Sequence, residues 1–356
     1  METAGGQTPV SGTDHHDSRP GRTIPAHFLP VPTTKTVSPE MQQVVATPGE
    51  PWFLMKPQSV DDWNDVITKY NAENAFLSEK LRTALNVRSE AITIAGVPCH
   101  RITPAEIAPG YEQRLLLHTH GGAYVFGAGE SGLAEAALVA HYSKSPVLSV
   151  DYRMPPKHPF PAAVEDVVAV WRKMLESHNP ANAAIFGSSA GGGLAMAVTL
   201  ALKGEGIPLP AALFLGSPWA RLDKIADSQF ANDSTDNLLI TYDGLLGLAA
   251  KLYATPDVPL DRPLLSPLEG DLTGFPPSII ITGTRDLFLS LAAFSHRKLR
   301  RSGVEAQLHV FEAVSHIQFL FFLVVPPDAS GTVVVVPECI EAMTEVARFF
   351  DRHLVP

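Results

Sequence analysis

Apolar runs and stretches of helical periodicity alternate along most of the chain. The runs end in Gly-rich or polar turns and predict buried strands, whereas apolar residues at every third or fourth position predict amphipathic helices. This alternation is typical of an α/β fold with a mostly parallel central sheet and helices on both faces. The predicted strands lie at 90–102, 115–117, 183–186, 211–219, 278–282 and 307–312.

An amphipathic helix is predicted to begin after Ser59, whose side chain can form a capping box with Asp62. Its apolar face is expected to pack on the body of the protein. The stripe consists of Trp63, Val66, Ile67, Tyr70, Leu77 and Leu81, with Asn74 as its polar break.

An apolar run and a closing helix end the chain. The run at 319–325 could be a pocket wall, a subunit contact or core, and we favour core. The helix at 337–353 should cover one face of the sheet. Its predicted stripe is Ile340, Met343, Val346, Ala347 and Phe350.

A serine lies between two glycines where a predicted strand runs into a helix of small residues. The segment is Gly-Ser-Ser-Ala-Gly, with Gly187 and Gly191 flanking the turn and Ser189 at its centre. A tight strand-to-helix turn forces backbone angles that a Cβ would oppose, and it exposes the serine hydroxyl at the end of the strand. The turn therefore predicts a nucleophile elbow with Ser189 as nucleophile.

A second Gly-rich turn follows the strand at 115–117. It contains His120, Gly121 and Gly122. Attack on an ester carbonyl creates an oxyanion, which backbone N–H groups stabilise when they already point at it. The N–H of Ala190, after the nucleophile, and those of this turn are the predicted donors.

The remaining triad members should follow in the order acid, then histidine. Asp286 comes after the β-branched strand at 278–282, and His316 comes after the strand at 307–312. Asp271 is a rival acid, but it precedes its strand, and sites in this fold lie at the carboxyl ends of strands. We therefore predict Asp286 as acid and His316 as base.

Three segments resemble the hormone-sensitive-lipase-like branch of the α/β hydrolases. They are 120–123, the Asp-Tyr-Arg segment at 151–163 and the elbow at 187–192. The resemblance implies an α/β-hydrolase fold with a helical cap and the same triad. In that family the N-terminal segment forms part of the cap, which implies that the apolar face of the helix after Ser59 also lines the acyl or alcohol pocket. It assigns the oxyanion hole to Gly122, Ala123 and Ala190.

The chain departs from that family at three places. The family often has Asp where this chain has Ser188, a third glycine where it has Ala123, and Gly-Phe where it has Ile317 and Gln318. These departures bear on the acyl and alcohol groups that fit. The candidate substrate-binding residues are Tyr124, Trp219, Leu287 and Ile317, with Trp219 a candidate for either pocket wall or core.

These features predict a serine carboxylesterase that hydrolyses small to medium acyl esters through an acyl-enzyme. The mechanism requires no metal or organic cofactor. Two alternatives remain open: a non-catalytic small-molecule receptor on the same scaffold, and an acyltransferase or amidase that uses the same triad. In the resembled family, dimers often form through the exposed edge strand, so a homodimer is also an expectation.

Three regions are predicted along the chain. Residues 1–50 are expected to form an extended, partly mobile N-terminal arm because prolines are frequent from 24 onward. Residues 51–86 should form an N-terminal helical cap segment. Residues 87–356 should form the catalytic domain, with a second cap insertion at about 219–262.

Composition narrows the function classes. With 356 residues, 45% of them hydrophobic, the chain can bury a large core. Its formal charge of −10 and lack of a basic stripe argue against nucleic-acid binding. Cys99 and Cys339 are too few for a disulfide framework or metal site. No stretch is apolar enough for a membrane span, and the polar N-terminus does not resemble a secretory signal, so we expect a cytoplasmic protein.

Overall fold

The computed structural model describes residues 35–49 and 51–355. Within them, eight strands form one sheet in the order β1-β2-β4-β3-β5-β6-β7-β8. Strands β1, β2 and β4 pair antiparallel, and all pairs from β4 to β8 are parallel. The predicted α/β architecture is confirmed. The strands are β1 (Arg88–Ile94), β2 (Val97–Thr103), β3 (Leu115–Thr119), β4 (Val147–Val150), β5 (Ala183–Ser188), β6 (Ala212–Gly216), β7 (Ser278–Gly283) and β8 (Ala306–Phe311).

Helices pack on both faces of this sheet. A separate antiparallel hairpin, β9 (Phe322–Val325) and β10 (Thr332–Val335), follows β8. The helices are α1 (Pro39–Ala46), α2 (Val60–Ala84), α3 (Leu133–Ser143), α4 (Ala162–Met174), α5 (Ala190–Gly204), α6 (Ser228–Ala231), α7 (Leu245–Ala254), α8 (Leu289–Arg301) and α9 (Pro337–His353).

Strand β7 illustrates why the parallel strands read as continuous apolar runs. Ile280 belongs to the core cluster on the face of α4, α5 and α8, whereas Ile279 and Ile281 belong to the cluster on the face of α3 and α9. A strand that is covered on both faces needs apolar side chains at every position. The hydrophobic core therefore consists of two layers, one on each face of the sheet.

The predicted arm contains a helix that the sequence argument did not anticipate. Residues 1–34 lie outside the described residues, but α1 is helical, and Ser38 caps it by accepting a hydrogen bond from the N–H of Met41. Pro39 occupies the first turn, where a missing N–H costs nothing. The expectation of an extended arm is wrong for Pro39–Ala46, which is helical.

The apolar run at 319–325 is only partly core. Phe319 and Leu320 are buried, as expected, but β9 is half-buried and pairs with β10 in the hairpin. The stripe of α9 is also rotated from the predicted one, because Ile340 is 41% exposed while Cys339 and Phe349 are fully buried.

Helix α2 begins as predicted. The side chains of Ser59 and Asp62 form the reciprocal capping box. No helix within residues 35–49 and 51–355 has the length and hydrophobicity that a membrane crossing requires.

Candidate active site

Ser189 occupies a strained turn between β5 and α5. Its backbone has φ +58° and ψ −124°, a combination that L-residues rarely adopt. The turn is held from both sides, since the Ser189 N–H donates to the Gly216 carbonyl at 2.8 Å and the Trp219 N–H donates to the Ser189 carbonyl at 2.9 Å. A Cβ on Gly191 would overlap the Thr119 carbonyl oxygen, so only glycine fits there.

The His-Gly-Gly turn packs directly against this serine. An added Cβ on Gly121 would lie 3.6 Å from the Cβ of Ser189. Gly122 has φ +110° and Ala123 has φ +53°, which turns the chain sharply at this point. Within the described part of the chain, the N–H groups of Gly122, Ala123 and Ala190 have no hydrogen-bond acceptor. Unpaired N–H groups beside a serine are the arrangement that an oxyanion requires.

His120 supports this turn as a neutral ring. Its Nδ1 lies 2.8 Å from the Gly121 carbonyl oxygen, and its ring stacks on Tyr152 with centroids 4.1 Å apart. Burial lowers the pKa of His120 to about 3, because no solvent or carboxylate stabilises the charged form. His120 therefore acts as a structural element of the turn.

The Asp-Tyr-Arg segment ties the same turn to the sheet. Tyr152 donates its hydroxyl to the His120 carbonyl at 2.7 Å. Asp151 accepts from the N–H of Gly129 at 3.0 Å, and Arg153 pairs with Asp166. These contacts explain why the segment accompanies the glycine turn: it fixes the loop that carries the N–H groups.

Asp286 and His316 form a buried pair on the loops after β7 and β8. The distance between Asp286 Oδ1 and His316 Nδ1 is 2.9 Å. The carboxylate also accepts from the Thr282 hydroxyl and the Phe288 N–H. Although burial opposes ionisation, the charge of His316, the hydrogen bond to its ring and the Phe288 N–H lower the pKa of Asp286 below its ordinary value. Asp271, the rival acid, is exposed and ion-paired with Lys203.

The other ring nitrogen of His316 is unpaired. Nε2 is buried and has no hydrogen-bond partner within the described residues, Ser189 included. Trp219, whose backbone N–H donates to the Ser189 carbonyl, stacks on Phe288, and Phe288 packs edge-on against His316. An unpaired, buried imidazole nitrogen is available to accept a proton.

A buried polar network lies behind the elbow. Ser188 donates its hydroxyl to Glu135 at 2.6 Å, and the other oxygen of Glu135 lies 3.2 Å from His118 Nε2. His118 Nδ1 in turn is 2.9 Å from the Ser149 hydroxyl. Glu135 is the one acidic residue in the apolar sequence of α3, and that signal could have predicted its buried partner.

The sequence argument also missed three residues of the predicted second insertion: Asn232, Asp236 and Asn237. Their side chains hydrogen-bond to the loops of Asp286 and His316. They lie in a polar segment without periodicity, and the groups they contact are 50 or more residues away, so no local pattern identifies them.

An apolar cavity of about 560 Å³ opens beside the glycine turn. Its walls come from α2, from the segment after His316 and from the hairpin, and Gly121, Gly122 and Ser188 also line it. Ser189 itself is next in sequence to this wall and is not part of it. This volume is in the usual range for small-molecule sites. Apolar members of the wall include Tyr70, Phe76, Leu77, Ile317, Phe322 and Leu323.

Of the four candidate substrate-binding residues, only Ile317 lines this cavity. Tyr124, Trp219 and Leu287 are core residues instead, at 2%, 0% and 0% exposure. Tyr124 stacks on Tyr253, with the two ring centroids 4.0 Å apart. Residue type alone does not show on which side of a strand end a ring will pack.

Helix α2 is anchored to the loop after the glycine turn. Asn71 accepts from the N–H of Gly127 at 2.9 Å, and Tyr70 stacks on Phe126 at 4.2 Å. Asn74, the polar break in the stripe, lines the cavity. The apolar face of α2 thus both packs on the body and forms cavity wall.

Among residues 35–49 and 51–355, no group of three or more His, Cys, Asp or Glu side chains could hold a metal ion. Both cysteines are buried and unpaired. Burial raises the pKa of the Cys99 thiol to about 12.

Known proteins resemble this chain in sequence and in structure. The family profile that describes the alpha/beta hydrolase fold matches residues 116–320. An acetyl-hydrolase from Streptomyces hygroscopicus is 34% identical over 238 residues, which are 67% of this chain and 77% of that protein.

Two solved structures are similar over most of the chain. The crystal structure of an esterase named E25 has a TM-score of 0.86 at 39% identity and covers 94% of this chain and 99% of that one. An esterase from the bacterial hormone-sensitive lipase family has a TM-score of 0.75 at 29% identity, over 89% of this chain and 99% of its own.

Proposed function

Because this chain belongs to the hormone-sensitive-lipase-like branch of the α/β-hydrolase family and is a carboxylic ester hydrolase, we propose that Ser189 is its nucleophile and that it hydrolyses small to medium acyl esters through an acyl-enzyme. The observation that carries this proposal is the 2.9 Å pair of Asp286 and His316 together with the strained turn that holds Ser189.

In the proposed mechanism, His316 Nε2 accepts the hydroxyl proton of Ser189 as Oγ attacks the ester carbonyl. The N–H groups of Gly122, Ala123 and Ala190 stabilise the oxyanion. Asp286 fixes the ring of His316 with Nδ1 protonated and stabilises the imidazolium. That imidazolium protonates the leaving alcohol, and water then repeats the cycle on the acyl-enzyme.

The mechanism requires Ser189 and His316 to approach when substrate binds. Catalytic hydrogen bonds are often long in a ligand-free enzyme and shorten in the complex. The unpaired Nε2 of His316 supports this step, because its lone pair is not used by another donor.

The cavity supports an acyl or alcohol group of limited size. Its volume of about 560 Å³ and its walls of Tyr70, Leu77 and Ile317 favour an apolar chain. We propose that α2 and the insertion at about 219–262 form the cap over this site. No observation favours the receptor, acyltransferase or amidase alternatives. A homodimer and a cytoplasmic location stay predictions.

A chain-length series of p-nitrophenyl esters, from acetate to palmitate, tests the proposal together with Ser189→Ala. The variant should lose about 10⁴-fold or more in kcat, because a triad without its nucleophile retains only binding and oxyanion stabilisation. Ser177→Ala is the matched control, since Ser177 is exposed and its hydroxyl contacts Met174 and His178 of its own turn. Turnover near the wild-type rate in Ser189→Ala would refute the proposed role.

A further inference from the structure

Asp236 is a buried carboxylate that the triad does not account for. It is 1% exposed and lies in the insertion at about 219–262, far in sequence from both Asp286 and His316. Its Oδ1 accepts from the N–H groups of Leu238 and Leu239, at 2.9 and 3.0 Å. These two bonds hold the carboxylate in a fixed orientation relative to its own loop.

The other oxygen of Asp236 reaches both loops of the acid–base pair. Oδ2 accepts from the N–H of Leu287 at 2.9 Å and from the N–H of His316 at 3.3 Å. Leu287 immediately follows Asp286. One carboxylate oxygen thus bonds the backbone next to the acid and the backbone of the histidine itself, and it sets the separation of the two loops.

Two neighbours of Asp236 extend this connection. Asn232 donates its side-chain N–H to the carbonyls of Thr284 and Asp286, at 3.2 and 2.9 Å. Asn237 accepts from the Gln318 side chain at 2.7 Å, and its own N–H lies 3.2 Å from the Ser315 hydroxyl. We call Asn232, Asp236 and Asn237 the insertion clamp.

We propose that the insertion clamp positions Asp286 and His316 for proton transfer, with Asp236 as its central positioning residue. The inference rests on the proposed function of the triad. It adds a role for the insertion, which otherwise would only cover the cavity. A carboxylate is required because each of its oxygens accepts two N–H bonds, whereas an amide would turn an NH₂ group toward two of these donors.

The electrostatic environment agrees with this geometry. Two charged groups face Asp236: Asp286 from the loop after β7 and His316 from the loop after β8. Burial and the charge of Asp286 raise the pKa of Asp236 to about 6, while His316 and the backbone N–H groups oppose that rise. Above about pH 6 the Asp236 carboxylate is therefore ionised, and its negative charge favours the protonated, imidazolium form of His316.

Three variants test the clamp, with kcat, KM and the pH dependence of kcat/KM measured for a p-nitrophenyl ester. Asp236→Asn should lower kcat by about 10²-fold with little change in KM, because small misplacements of reacting groups cost about that much. The acidic limb of its kcat/KM–pH profile should move to lower pH. The variant loses the titrating carboxylate of Asp236, and with it the negative charge that favours protonation of His316. A purely structural role would not move this limb.

Asn232→Ala loosens the acid loop without changing charge. It should lower kcat by a smaller factor and leave the acidic limb in place. Asp243→Asn is the matched control, because Asp243 lies in the same insertion but is exposed and paired with Lys224. If Asp236→Asn does not fold, the split between kcat and KM in Asn232→Ala decides the question.

The proposal is overturned if the folded variants keep wild-type kcat or lose activity only through KM. Ser189→Ala separates this failure from that of the proposed function. An inactive Ser189→Ala beside a fully active Asp236→Asn would refute only the clamp, whereas an active Ser189→Ala would refute the triad on which it rests.

Discussion

The elbow side of the site and its cavity wall are built differently. On the elbow side, Ser189, Asp286 and His316 are at most 6% exposed, and backbone and side-chain hydrogen bonds hold their loops. On the wall, Phe76 and Leu77 of α2 are 41% and 38% exposed and contribute mainly apolar surface.

The difference shows how the two requirements of an esterase are divided. Bond-making chemistry needs groups fixed within fractions of an ångström, which buried hydrogen-bond networks provide. Selection of an acyl chain needs only apolar surface of suitable depth. Substitutions on the elbow side should therefore act on kcat, and substitutions on the wall should act on substrate preference.

The largest effect is expected for Asp286→Asn. An amide cannot stabilise the imidazolium and favours the wrong tautomer of His316, so kcat should fall by about 10³–10⁴-fold. Asp271→Asn is the control, because that carboxylate is exposed and ion-paired with Lys203. Steady-state kinetics on folded protein, verified by thermal melting, measures the contrast. Equal activities of the two variants would remove Asp286 from the mechanism.

A middle effect is expected for Gly122→Ala. The backbone of Gly122 has φ +110°, and an added Cβ would overlap the Phe126 carbonyl oxygen, so the turn must shift and its N–H groups with it. Loss of one oxyanion donor typically costs about 10²–10³ in kcat.

Gly303→Ala provides the control for this effect. It has a similar positive φ of +78°, but its added Cβ meets no atom within 4 Å. Both variants should lose stability from backbone strain, and only Gly122→Ala should lose kcat. A matching fall in both would show that strain alone, not the donor geometry, accounts for the loss.

The smallest effect is expected for Leu77→Ala on the wall. Shortening this side chain deepens the cavity, so kcat/KM should change by about tenfold or less for hexanoate and octanoate esters and stay unchanged for acetate. Val60→Ala is the control, since Val60 lies on the same helix but outside the cavity wall. A large loss of kcat for every ester would contradict the division between the two sides.

The sequence predicts the elbow side better than the wall for a physical reason. Ser189 and Asp286 each follow a strand whose apolar run is visible locally, and His316 follows the alternating strand β8. Parallel strands bring their carboxyl ends together. The unusual backbone angles at Ser189 can also be recognised in the sequence, because the tight turn requires glycines on both sides of the serine.

The cavity wall and the insertion clamp are harder to predict from the local sequence. Tyr124 and Trp219 pack into the core and Leu77 into the wall, although all three are apolar residues near the site, because the choice depends on tertiary packing rather than on periodicity. Asp236 contacts Leu287 and His316 across long sequence separations. Its polar loop has no period that could indicate these contacts.

Covalent labelling tests the central claim most directly. The enzyme is incubated with a fluorophosphonate, which phosphonylates activated serines, and the modified peptide is identified by mass spectrometry. The account predicts one adduct, on Ser189, that is lost in Ser189→Ala and forms much more slowly in Asp286→Asn. An adduct on Ser188 or another serine, or an active enzyme that forms none, would contradict it.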